Sequence, residues 1–125
     1  MDKKICLDTD VCIGIINGKI DFKYIFDKFG AYDVYLTSIT IFELFLRETN
    51  LEEISEFIQN FQVLNFDDTC AKKSSDIFKD LKRKGNLLEF RDVFTASTCM
   101  VHNCALLTLN EKHFKKISGL NLLKS

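Results

Sequence analysis

Lys4-Ile5-Cys6-Leu7-Asp8-Thr9-Asp10-Val11-Cys12-Ile13-Gly14-Ile15-Ile16 joins two hydrophobic periods across one acidic hinge. The first four residues are short, mostly apolar and end at Asp8, as a buried strand does. Beyond it Val11, Cys12, Ile15 and Ile16 recur at helical spacing until Asn17-Gly18 stops the run. The stretch therefore reads as a strand feeding a helix, with an aspartate at the junction.

Working outward, the same alternation continues. Phe22, Tyr24, Ile25, Phe26 and Phe29 form a helical face that stops at Gly30, and Val34-Tyr35-Leu36-Thr37 is β-rich. Ile39, Phe42, Leu44, Phe45 and Leu46 predict a buried helix as far as Thr49, after which Asn50 can cap a further helix with Glu53 at the capping-box position. Gln62 to Phe66 predicts a third strand, and Asp67 or Asp68 a cap for a long amphipathic helix that closes on Lys82-Arg83-Lys84 and Gly85. A helix from Glu89 to His102, a strand from Ala105 to Thr108, a short helix from Lys112 to Ile117 and a last strand from Leu120 to Leu123 complete the chain. Strands alternating with helices predict an α/β fold, a three-layer α/β/α sandwich with a mainly parallel central sheet. Ligands then collect outside the carboxyl ends of the strands.

A chain of 125 residues that is 46% hydrophobic can bury one core, so residues 1–125 are expected to be a single domain. Its formal net charge of -1 argues against coating nucleic acid through overall positive charge, so any such contact must be local. No apolar run approaches the ~20 residues of a membrane helix, and a cytoplasmic protein is expected. Cys6, Cys12, Cys70, Cys99 and Cys104 are odd in number and form no C-x-x-C pair, which suits reduced core thiols. Cys99, His102 and Cys104 lack a fourth ligand and paired spacing, so core packing is preferred to a zinc cluster.

On this layout Asp8 ends the first strand and Asn110 lies just past the strand from Ala105 to Thr108. Glu43 and Asp92 lie early in helices that begin at the same edge. Converging carboxylates raise one another's pKa unless a cation neutralises them, and all-oxygen ligands suit Mg²⁺ or Mn²⁺ rather than zinc. Such ions hold water that can attack a phosphate ester. Taken singly, each acid also has a plain reading: Asp8 and Asp10 as helix caps, Glu43 and Asp92 as solvated acids. The apolar neighbours Ile41-Phe42 and Leu44-Phe45-Leu46 of Glu43, and Phe90 and Val93-Phe94 around Asp92, make those surroundings costly for an uncompensated charge.

Leu7-Asp8-Thr9-Asp10, Thr37-Ser38-Ile39-Thr40 with Glu43, Arg91-Asp92-Val93-Phe94-Thr95-Ala96, and Leu107-Thr108-Leu109-Asn110 with His113-Phe114 resemble, in order, the motifs of PIN domains, especially VapC-type toxins. The resemblance spans nearly the whole chain. It implies a metal-dependent endoribonuclease using Mg²⁺ or Mn²⁺, with Asp8, Glu43 and Asp92 as metal-binding acids and Thr9 and Thr108 as hydroxyl residues beside them. Asn110 stands where many members have a fourth acid and others an asparagine; it either orients a metal-bound water or caps the helix that starts at Glu111. Asp10 departs from the usual asparagine or serine, and either adds charge near the metal or caps the first helix. A homodimer and silencing by a small VapB-like antitoxin also enter through this likeness.

Two rivals stand beside it. Asp8-Thr9-Asp10-Val11 also resembles the first motif of haloacid-dehalogenase-type phosphatases, but Asp67-Asp68 arrives too early for their later acidic pair. A PIN-like module that only binds RNA or protein has the neutral Asn110 as its support. Lys72, Lys73, Lys79, Lys82, Arg83 and Lys84 on one helix, and Lys112, Lys115 and Lys116 on another, can guide RNA or simply be solvated. Arg91, beside Asp92, is a candidate partner for a phosphate or a carboxylate, and His113 either contacts phosphate or is a surface histidine.

Overall fold

Alternation along β1 (Lys3–Leu7) sets the layers: Ile5 and Leu7 enter one buried cluster and Cys6 the other. The computed structural model describes residues 3–30 and 32–123. After β1 come α1 (Thr9–Ile16), α2 (Phe22–Lys28), β2 (Tyr32–Thr37), α3 (Ser38–Phe45), α4 (Leu51–Ile58), β3 (Gln62–Leu64), α5 (Asp68–Arg83), α6 (Phe90–Val101), β4 (Ala105–Leu107) and α7 (Glu111–Phe114). The strands lie in the order β3-β2-β1-β4 and every pairing is parallel. Helices α1 to α4 cover one face through Val11, Cys12, Ile25, Leu44 and Ile54, and α5 and α6 the other through Ile77, Leu81, Val93, Ala96 and Cys99. This is the expected α/β/α sandwich with a parallel sheet. Among the described residues no helix is long and apolar enough to cross a membrane.

The order matters for the site. The chain winds outward from β1 to β2 to β3, then returns past β1 to add β4 on its other side. Strand order reverses beside β1, and the carboxyl ends of β1 and β4 flank the crevice this opens. The backbone N–H of Asp8 donates to the Leu107 carbonyl at 2.9 Å, so the two strand ends are tied together where they leave the sheet.

Helix ends follow local chemistry. Asp67 accepts from the Cys70 N–H at 3.0 Å and caps α5. At its other end Gly85 takes φ +70, which a side chain would resist. Gly85 N–H then bonds Lys82 O at 3.1 Å and Asn86 N–H bonds Leu81 O at 2.9 Å, satisfying the last carbonyls. Asn103, at φ 53, ends α6 in the same way and turns the chain directly into β4.

Three expectations are corrected. Asn50 precedes α4 but sits at φ 60 and makes no side-chain cap, because a left-handed residue does not aim its amide at the first turn. The last strand, expected from Leu120 to Leu123, contracts to one parallel bridge between Leu106 and Leu122. The α3 helix is not buried all round: Thr40 and Leu44, one turn apart, face the sheet, while Phe42, Phe45 and Leu46 are exposed. All five cysteines are buried and unpaired, as reduced core thiols should be.

Candidate active site

Asp8 leaves β1 at the crevice and is 8% exposed. Its Oδ1 accepts the Thr9 N–H at 2.9 Å and its Oδ2 accepts the Thr108 hydroxyl at 2.8 Å, across one hundred residues of sequence. Burial, then the negative charge of Asp10 and, more weakly, of Asp92, push its carboxyl from 3.8 up to about 7 against the pull of those two hydrogen bonds. Asp8 also holds the N-cap position of α1.

That leaves Asp10 free of the capping role. Its oxygens accept the Leu109 N–H at 3.3 and 3.2 Å, and Oδ2 lies 3.4 Å from the Thr108 hydroxyl. Burial raises its pKa, with Asp92 adding to the rise and the hydrogen bond from Leu109 opposing it. Asp10 therefore places a second carboxylate beside Asp8, which is one of the two roles open to it from sequence.

Glu43 lies in the second turn of α3, not at its beginning as expected; its longer side chain supplies the reach. Thr9 Oγ1 donates to Glu43 Oε1 at 2.7 Å and lies 3.0 Å from Thr40 Oγ1, while Thr37 Oγ1 accepts the Thr40 N–H at 3.1 Å and caps the helix. Arg91 Nη1 stands 3.7 Å from Glu43 Oε2. Its compensation is thus polar and specific. The apolar neighbours that made it conspicuous point largely elsewhere: Phe42 and Phe45 face outward, and so does Phe90 beside Asp92.

Asp92, in the first turn of α6, pairs with His113 of α7, whose Nε2 lies 3.1 Å from Oδ2. Arg91 therefore partners Glu43 rather than its sequence neighbour, and His113 is a carboxylate partner rather than a bare surface residue. Asn110 is exposed; it occupies the N-cap position of α7 but its side chain makes no capping bond, and its backbone N–H donates to Thr108 Oγ1 at 3.1 Å. Thr40 is the contributor that sequence reasoning did not assign, although it stands three residues after the capping Thr37.

Asp8, Glu43 and Asp92 thus reach one sheet edge, each steadied by its own partner: Thr108, Thr9 and His113. Among the described residues their oxygens do not all close to within 4.8 Å of one another. Any cation shared among them competes with Arg91 for the Glu43 carboxylate. The donor set is entirely oxygen, which fits a hard divalent ion. A groove of about 610 Å³, lined by Thr108, Leu109, Glu111, Lys112 and Lys115, runs off this edge.

The sequence profile of the PIN domain family matches residues 5–120. Ribonuclease VapC3 of Methanocaldococcus jannaschii is 36% identical over 91 residues, covering 73% of this chain and 93% of that protein. The tRNA(fMet)-specific endonuclease VapC of Salmonella typhimurium is 28% identical over 128 residues, covering 95% of this chain and 96% of the other. The crystal structure of DNA-bound VapBC from Salmonella typhimurium superposes with a TM-score of 0.87 at 27% identity, covering 98% of both chains. With acids at the switch in strand order, a profile running almost end to end and a relative 36% identical over most of its length, the chain belongs to the PIN domain family.

Proposed function

We propose that this chain is a metal-dependent endoribonuclease, the toxin of a toxin and antitoxin pair, in which Asp8, Glu43 and Asp92 hold Mg²⁺ or Mn²⁺. One observation carries the metal reading. Asp8 is buried with its carboxyl held near 7, and among the described residues no lysine, arginine or histidine nitrogen forms an ion pair with it or with Asp10. A buried carboxylate beside a second, half-buried one is costly without a cation, and a divalent ion removes that cost.

When bound, the ion supplies Lewis acidity at the phosphoryl oxygens and a water of lowered pKa. The chain's own residues do the positioning. Thr108 fixes Asp8, Thr9 fixes Glu43, and His113 fixes Asp92, so the three carboxylates stay aimed at one edge. Lys112 and Lys115 line the adjoining groove, and the Arg91 side chain is 44% exposed beside Glu43. These give local positive charge for an RNA backbone on a molecule of net charge -1. Both oxygens of Asp10 accept from the Leu109 N–H, which leaves it poorly disposed to be the general acid a phosphatase needs.

The related proteins named as ribonucleases and as VapBC complexes support the substrate class and the VapB-like antitoxin partner. Exposed Phe42 and Phe45 on α3, Leu46 just past its end and Leu51 on α4 provide apolar surface suited to a protein partner, including a second copy of the chain. The test is cleavage of RNA by the purified chain: a chelator should abolish it and added Mg²⁺ or Mn²⁺ should restore it. Undiminished cutting in excess chelator overturns the metal mechanism.

A further inference from the structure

On the far side of the sheet from α1 to α4, the first turn of α5 meets the last turn of α6. Three side chains of different donor type gather there. Asp67 is exposed at the N-cap of α5, Cys70 is fully buried one turn on, and half-buried His102 is the C-cap of α6. An Asp67 oxygen, Cys70 Sγ and a His102 ring nitrogen all lie within 4.8 Å of one another. The carbonyl of Asn65 sits between two of them, 3.6 Å from Cys70 Sγ and 3.3 Å from His102 Nε2. No other trio of such donors among the described residues is so close.

We propose that Asp67, Cys70 and His102 form a second metal site, separate from the acidic edge and selective for zinc or a similar borderline cation. Tetrahedral zinc with bonds of about 2.0 to 2.3 Å needs donors roughly 3.3 to 3.6 Å apart, so the trio must close by at most about 1.5 Å. Thiolate and imidazole are poor ligands for Mg²⁺, and mixed sulfur, nitrogen and oxygen donors suit zinc. On binding, the Cys70 thiol loses its proton to solvent and the sulfur takes the metal in its place. Neutral His102 gives the lone pair of one ring nitrogen, and Asp67 gives the oxygen that is not capping Cys70 N–H. The fourth position falls to water on the exposed Asp67 side or to the Asn65 carbonyl. Bound there, the ion ties the β3 to α5 junction to the end of α6, the helix whose other end carries Arg91 and Asp92. Its role is to stiffen that helix pair, not to take part in phosphate chemistry.

Cobalt(II) is the probe, because a thiolate on cobalt gives an intense sulfur-to-metal charge-transfer band that carboxylates do not. The full chain, kept reduced, should bind one equivalent of Co²⁺ with that band, and Zn²⁺ should displace it. Asp92→Asn should keep the band, since it alters only the acidic edge. Cys70→Ser should lose the band, and His102→Gln should weaken Co²⁺ binding by at least tenfold. Should Cys70→Ser fail to fold, His102→Gln alone decides, because its side chain is only half-buried. A wild-type chain without the band, a band that persists in Cys70→Ser, or His102→Gln binding as tightly as wild type each overturns the site.

Discussion

Replacing Asp8 with asparagine should stabilise the metal-free protein at pH 8 while destroying its response to metal. The carboxyl stands at 3.8 ordinarily and at about 7 in the fold, chiefly through burial and then through Asp10. A group raised in this way adds stability below the unfolded value and loses it as pH climbs through the folded one. The metal-free wild type should therefore weaken between about pH 4 and pH 7, and at 1.36 kcal/mol per pH unit the full loss is about 4 kcal/mol. The neutral amide of Asp8→Asn escapes that cost but must present its nitrogen to Thr108, whose hydroxyl now donates to Asp8 at 2.8 Å and would have to turn toward Asp10 Oδ2 at 3.4 Å. Allowing for that rearrangement, Asp8→Asn should gain about 2 to 4 kcal/mol at pH 8, a rise of roughly 5 to 15 °C in Tm. At pH 4, where the carboxyl of wild-type Asp8 is protonated, Asp8→Asn should melt level with wild type or lower by no more than the cost of that rearrangement, up to about 2 kcal/mol. Adding Mn²⁺ should raise the wild type alone, since a ligand stabilises only the state that binds it. The assay is a melting series in chelator and in Mn²⁺ across that pH range. An Asp8→Asn protein that melts at or below wild type in chelator at pH 8 refutes the idea that Asp8 is held against its own charge.

Asp92→Asn should stay folded, because its partly exposed pair with His113 is worth under about 1 kcal/mol, yet should lose cleavage; a variant that cuts RNA at the wild-type rate removes Asp92 from the site. His113→Ala should weaken Mn²⁺ binding by roughly 10- to 100-fold, as loss of a residue that orients a ligand does, with calorimetric titration as the check. Gly85→Ala places a side chain at φ +70 and should cost about 1 kcal/mol in urea unfolding with cleavage unchanged.

The strands and their order of alternation were readable because Ile5 to Leu7 and Ala105 to Leu107 are continuous buried runs, and burial on both faces leaves no polar alternation to confuse them with surface strands. The exposure of Phe42, Phe45 and Leu46 was not readable, since hydrophobic spacing states which residues avoid water in some assembly and says nothing of whether their cover lies in the same chain. Asn50 shows the same limit locally: its type suits a cap, but φ 60 decides otherwise. The acids were found by their motifs, yet the bonds that hold them at one edge run from Thr108 to Asp8, from Thr9 to Glu43 and from His113 to Asp92. None of these is local: the Thr9 bond follows from the pairing of β1 with β2 and the His113 bond from the turn of the chain from α6 through β4 to α7, while the Thr108 bond follows from one further topological fact. The fourth strand pairs with the first, so the last quarter of the chain meets its beginning, and the hydroxyl that restrains Asp8 comes from the strand end to which Asp8 is already bonded. The motifs mark the acids, and β1, paired with β2 on one side and with the returning β4 on the other, brings them to one edge.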